Sequence, residues 1–236
     1  IYRRVVRTRA DILQAQVQAL EPDFDLLAPE LPFNAPHMPA ATLPNPLHSY
    51  ARLLERWIDG SLSPIHGDLH TGNILIGPAG DAWLIDFEWT RQGHTLFDWA
   101  TLEISLLIDL LVPRLEVRGE TWDICREAIG YLYELNATGK VSGDAPLDLA
   151  APLALIQGVR AIAEELLAVE NRWSEYYTAL ALCAIRVPSW PNRPLTARRL
   201  MFLASALYIA TLSSYEAISS DTDTLKTTSD GRLPAG

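Results

Sequence analysis

Apolar residues recur at three- and four-residue intervals through most of this chain and at two-residue intervals in one short stretch only. Residues 3 to 20 carry Val5, Val6, Ile12, Leu13, Val17 and Leu20 among arginines and glutamines, the spacing of an amphipathic helix. That helix should end before Pro22. Seven of the sixteen prolines fall between Pro22 and Pro46, a density that excludes regular helix and predicts an extended connector on the surface. A second helix is expected over 47 to 59, with Leu47, Tyr50, Leu53, Leu54, Trp57 and Ile58 on one face and Gly60 as its stop. Beyond residue 95 the period is helical throughout, over roughly 95 to 112, 120 to 136, 147 to 170, 172 to 187 and 196 to 218. The first of these is apolar nearly all round, which predicts burial on every side, and Pro113 should end it. From Ser219 onward almost no apolar anchor remains, which predicts a frayed tail.

The period changes between Asn73 and Asp86. There the runs NILI and WLID flank a Gly77-Pro-Ala-Gly80-Asp turn, the pattern of a β-hairpin. The expected fold class is therefore α+β and predominantly helical, with a helix and connector over 1–46, a main lobe over 47–218 and a tail over 219–236. Within the lobe, a loop and hairpin occupy 64–88 and a helical subdomain 95–218. If Ile76 lies opposite Trp83, Asn73 falls opposite Asp86 at the open end of the ladder, with Cβ atoms about 4.5 to 5.5 Å apart. An amide oxygen and a carboxylate converging there suit a hard cation such as Mg²⁺, which takes one or two protein carboxylates beside phosphate and water.

Immediately before the hairpin stands HGDLHTGN, residues 66 to 73, and LIDFE follows at 84 to 88. Gly67 and Gly72 open backbone conformations closed to other residues around Asp68. A carboxylate in that loop can accept a hydrogen bond from a substrate hydroxyl and align it for in-line attack on a metal-held phosphoryl group. Glu88 reads equally well as a third carboxylate of the metal site or as a solvated acid.

The set His66, Asp68, Asn73 and Asp86-Phe87-Glu88 has the spacing of the kinase template, H-x-D-x-x-x-x-N followed by D-F-x. More narrowly, HGDLHTGNIL with LIDFE resembles the aminoglycoside and choline kinase-like phosphotransferases over about residues 64 to 103. That resemblance implies a protein-kinase-like C-terminal lobe, with Asp68 as catalytic base or aligner and Asn73 and Asp86 as magnesium ligands. It also implies that His66 braces the loop, that His70 matches the second histidine of the motif, and that Asp98 caps the following helix and supports the loop. ATP or GTP would be the phosphoryl donor, and a small hydroxylated molecule the acceptor. Gly67 stands where protein kinases carry the arginine that reads a phosphorylated activation loop. Only eleven residues separate Asp86 from Asp98, which leaves no room for a long activation segment or a docked peptide.

Composition narrows the partners. At 236 residues and 49% apolar content the chain can bury a sizeable core, and 19 basic against 29 acidic residues give a net charge of −10. That charge opposes nucleic-acid binding and is compatible with a cationic acceptor. Cys125 and Cys183 sit in helical apolar patterns and read as buried hydrophobes of a reducing, cytoplasmic compartment. The longest apolar runs, Leu96 to Val112 and Leu200 to Leu212, are interrupted by acids or too short to span a bilayer, so no membrane segment is expected.

A kinase also needs a Gly-rich loop and a lysine for the phosphates. Before Gly67 the only glycine is Gly60, and the two lysines, Lys140 and Lys226, both follow the motif. The string TGKVSG at 138 to 143 is no P-loop. The expectation is a catalytic lobe whose nucleotide-binding partner lobe lies upstream of Ile1. Two rival readings use the same residues. One is a kinase-fold binding module without catalysis. The other is a metallophosphoesterase with Asp68 and His70 on one of two metals, but GDAPLD at 143 to 148 has the wrong spacing for it and no GNHE exists.

Overall fold

The computed structural model of the protein describes residues 10–21 and 25–229. It is α+β and mostly helical. Helix α1, Ala10–Leu20, buries Leu13, Val17 and Leu20 on one stripe, while the part of the expected helix before residue 10 lies outside the described residues.

The proline-rich stretch is not a connector. Strands β1, Glu30–Ala35, and β2, Met38–Pro44, form an antiparallel hairpin with Leu31 opposite Leu43 and an irregularity between Phe33 and Ala35. Proline is tolerated because the sheet has only two strands, so every strand is an edge. Leu31, Phe33 and Ala35 alternate inward into the same core as the helices. The hairpin turn lies on helix α5, Trp122–Thr138, at Gly130, where any Cβ would collide with the Pro36 carbonyl. Residues 25–46 are thus part of the main body, and the expected boundary at 46 does not exist.

Helix α2, Pro46–Glu55, starts at buried Asn45, whose Oδ1 accepts the Leu47 N–H at 3.0 Å. It stops at Glu55, four residues before the expected end, so Trp57 leaves the apolar face and is 97% exposed. Strand β3, Leu62–Ile65, pairs antiparallel with β6, Arg91–His94, and between them lie the short strands β4, Ile74–Ile76, and β5, Ala82–Leu84.

Helix α3, Phe97–Leu106, does not end at Pro113. A π-turn over Leu107–Leu111, with the Val112 N–H reaching Leu107 O, carries the rod into α4, Val112–Arg118. Pro113 therefore sits at the start of a fresh α segment, where its missing N–H costs little. Helices α6, Leu147–Glu165, α7, Ser174–Ala184, and α8, Leu195–Ser229, complete the body, with α3 packed on α6 and α7, and α8 on α5 and α7. The backbone of α8 runs on to Ser229, past the expected start of the tail at Ser219, and residues 230–236 lie outside the described residues. Leu195–Tyr215 is long and apolar enough to cross a membrane by length and composition, but 72% of that window is buried inside the protein. Both cysteines are buried and neither is in a disulfide, and burial pushes the Cys125 thiol up to about 12.

Candidate active site

The β3–β6 ribbon presents the loop 66–73. Ile65 pairs with Arg91, so the chain leaves β3 directly into His66. Gly67 then takes φ +85, and a side chain there would strike the Trp89 carbonyl and the Arg91 guanidinium. Glycine is required on both counts.

Three polar side chains along one rod hold this loop. Asp98 accepts the His66 N–H at Oδ2, 2.6 Å, and the Gly67 N–H at Oδ1, 2.9 Å. The Ser105 hydroxyl accepts the Thr71 N–H at 3.0 Å, and Asp109 Oδ2 accepts the Thr71 hydroxyl at 2.5 Å. Positions i, i+7 and i+11 share one helical face, so the loop lies along the rod from the start of α3 to the π-turn. Asp98 is 8% exposed and spends both oxygens on the loop; it does not cap α3, whose cap residue is Leu96.

Within the loop, the His66 Nε2 donates to the Ile85 carbonyl at 2.8 Å, which places the ring proton on Nε2. Its Nδ1 is buried without a hydrogen-bond partner among the described residues, and the ring lies 5.0 Å from that of Phe87. His70 accepts the Gly72 N–H at Nδ1, 3.1 Å, and its Nε2 stands 3.8 Å from Asp68 Oδ2. Buried Asn73 donates from Nδ2 to the Asp68 carbonyl at 3.0 Å. The Asp68 carboxylate, with its side chain 48% exposed, remains open on the surface of a braced loop.

The hairpin register differs by one residue from the sequence expectation. Leu75 pairs with Trp83, and Ile74 with Leu84, so Ile85, not Asp86, faces Asn73, and the Ile85 N–H donates to Asn73 O at 3.1 Å. In a regular ladder that slip would send Asp86 to the opposite face. Asp86 instead adopts φ 62 and ψ 64, leaves the pleat and starts the 3₁₀ turn Phe87–Trp89 without capping it. A left-handed, exposed aspartate is a strained backbone position of the kind found where a side chain is re-aimed for function. Glu88 is exposed on that turn.

The donor set suits magnesium. Tying the Asn73 amide nitrogen to the Asp68 carbonyl leaves Oδ1 to accept, and Asp86 offers an uncommitted carboxylate. Among the described residues no three His, Cys, Asp or Glu side chains gather as a metal-ligand group.

Residues 1–187 match the family model for ternary complex associated domain 9, a span that includes the whole loop, the hairpin and α3 through α7. The chain belongs to this family. No curated protein and no solved structure matches it.

This ternary complex associated domain also contains polar elements that sequence reasoning did not single out as functional. Ser105 and Asp109 interrupt an apolar run, and that interruption was the available signal. Glu103 interrupts it too, but points away from the loop. It is fully buried and accepts from Arg160 Nη2 at 2.7 Å, Arg160 Nε at 3.0 Å, Tyr176 at 2.9 Å and Tyr208 at 3.1 Å. Burial alone would lower the Arg160 pKa, yet Glu103 and the tyrosines outweigh it and hold the guanidinium charged. Burial and the Glu103 charge push Tyr176 and Tyr208 well above the ordinary phenol range. Arg91, next to Gly67, packs over the Phe97 ring at 5.5 Å and donates to the Trp89 carbonyl at 2.9 Å.

Proposed function

We propose that this chain is the catalytic lobe of an ATP-dependent phosphotransferase, aminoglycoside phosphotransferase-like in its loop, that phosphorylates a hydroxyl of a small molecule. The observation that carries this reading is the bond from Asn73 Nδ2 to the Asp68 carbonyl, together with the Ile85–Asn73 backbone bond, which brings the chain to the Asn73 end of the hairpin one residue before Asp86. One short hairpin end thereby presents an open carboxylate for a hydroxyl and two oxygen donors for a hard cation. Asn73 and Asp86 would hold magnesium, which would supply positive charge to offset that of the nucleotide phosphates. Asp68 accepts the hydrogen bond of the acceptor hydroxyl and orients its lone pair toward the phosphorus; as a half-exposed carboxylate it also takes the proton released. His70, 3.8 Å away, is placed to orient Asp68. Asp98, Ser105 and Asp109 keep the loop from shifting by the ångström that would spoil alignment.

A second reading has its own support. Leu75, Ile76, Trp83, Leu84, Phe87 and Trp89 are all exposed on β4, β5 and the turn after them, an apolar area of the kind that marks an interaction surface. The family description, ternary complex associated domain, agrees with a kinase-fold module that works by association. The upstream lobe of a kinase would cover that same surface.

Asp68→Asn in the intact protein separates the two. Under the catalytic reading, nucleotide affinity stays near that of the parent while transfer to hydroxylated acceptors falls about 10²- to 10⁴-fold. A variant as active as the parent removes Asp68 from the chemistry. A parent inactive on every acceptor, yet required intact by a protein partner, favours the binding module.

A further inference from the structure

The polar chain that begins at the loop does not stop at Asp109. Asp109 Oδ1 lies 3.4 Å from Arg193 Nη1, so the carboxylate joins the loop residue Thr71 to the segment between α7 and α8. That segment, Arg186 to Pro194, is stiff for its length. It carries Pro188, Pro191 and Pro194, and its backbone bonds run from the Trp190 N–H to Val187 O at 2.9 Å and from the Arg193 N–H to Trp190 O at 3.1 Å. Val187 and Pro188 are buried and anchor it. Two guanidinium groups flank the half-buried Trp190 ring, Arg186 at 5.6 Å and Arg193 at 6.0 Å from its centroid. The Arg193 side chain is 40% exposed, and its Nε and Nη2 take no hydrogen-bond partner among the described residues.

An arginine held rigid by a carboxylate on one side and an indole on the other, with a free edge of its planar fork, is built to receive an anion. Its position points to the ligand that carries that anion. The segment belongs to the helical body and is linked to the loop residue Thr71 through Asp109, on the rod side, whereas Asp86 and Asn73 stand at the hairpin. We propose that Arg193 receives the anionic group, a carboxylate or a phosphate, of the hydroxyl-bearing acceptor, so that the acceptors are hydroxylated acids and not amines. This rests on the phosphotransferase reading and specifies its substrate class. It also reverses the expectation drawn from the net charge of −10, because the charge that an acceptor meets is set by the side chains beside the loop and not by the chain's total.

The test uses four probes that differ in one group: a neutral hexose, its amino sugar, its sugar acid and its sugar phosphate. Phosphate transfer and, separately, binding by calorimetry are measured for the intact parent, Arg193→Ala and Arg193→Lys, with melting midpoints alongside. The parent should prefer the sugar acid or the sugar phosphate, and the better of the two identifies the anion. In Arg193→Ala the KM for that probe should rise roughly 10- to 100-fold relative to the neutral hexose, with partial recovery in Arg193→Lys. A parent that transfers phosphate but prefers the neutral or amino sugar overturns the inference and leaves the phosphotransferase reading standing. Equal losses on all probes in Arg193→Ala with a lowered midpoint make Arg193 a structural tie and overturn it too. Arg193-dependent binding of the acid without transfer by the parent supports the anion site while removing the enzyme, and neither binding nor transfer removes both.

Discussion

Asp98 is the sharpest test of how the loop is held. Its two carboxylate oxygens each accept one backbone N–H, from His66 at 2.6 Å and from Gly67 at 2.9 Å, and the residue is 8% exposed. Asp98→Ala leaves both amides without a partner. An unsatisfied buried amide costs about 1 to 3 kcal/mol; the His66 amide is buried and falls near the top of that range, whereas the Gly67 bond is partly buried and water can repair some of its loss. The sum is about 3 to 4 kcal/mol. In a chain of this size each kcal/mol moves the melting midpoint by about 2 to 4 °C, so a drop of about 6 to 16 °C is expected. Asp98→Asn should fall in between, since its amide oxygen still accepts one N–H while its NH₂ faces the other. Calorimetric melting of parent and both variants provides the assay, and on the proposed phosphotransferase reading turnover should fall with it because Asp68 directly follows Gly67. A midpoint for Asp98→Ala within 2 °C of the parent would refute the reasoning.

Three further outcomes follow from the same geometry. On the proposed metal assignment, Asp86→Asn should weaken magnesium-nucleotide binding by the intact protein more than Asn73→Ala does, because it removes the charged member of the proposed ligand pair; calorimetry showing unchanged affinity in Asp86→Asn would sink that assignment. Glu103→Gln should cost about 3 to 5 kcal/mol by leaving the buried Arg160 charge without its counter-ion, and replacing Arg160 by Met in the same chain should restore much of that loss in urea titrations. Tyr176 and Tyr208 have folded pKa values raised well above the ordinary one of about 10, so the unfolded chain releases their protons first. Their contribution is complete below about pH 10 and is lost as pH rises above it. Stability should therefore decline in alkali, and less steeply in Tyr208→Phe; a decline of equal slope in both proteins would refute this origin.

The α+β, mostly helical class was legible because period and turn chemistry are local properties. Leu13, Val17 and Leu20 fall on one stripe of any helix, and NILI and WLID around a glycine-bearing turn pair as a hairpin wherever they are placed. That His66, Asp68 and Asn73 share one loop was legible for the same reason, since a loop of fixed length between two strands leaves its residues few places to go. What is not local was misread. Prolines exclude helix but not a two-stranded edge sheet, so residues 30–44 could be recognised as strands only once the helical body supplied a surface for Leu31 and Phe33. Ile74–Ile76 and Ala82–Leu84 are apolar at every position, so their pattern alone does not choose between registers one residue apart; in the fold, Ile85 bonds through its N–H to Asn73 and through its carbonyl to the His66 ring. Pro113 stops a regular α-helix, and only a π-turn lets the rod continue. That turn is also where Asp109 meets Thr71 and Arg193, residues 38 and 84 positions away along the chain. Sequence alone determined the local periods and the polar residues available for chemistry. The tertiary structure decided which of them touch, because a hydrogen bond across such separations depends on the packing of whole helices, which no local window contains.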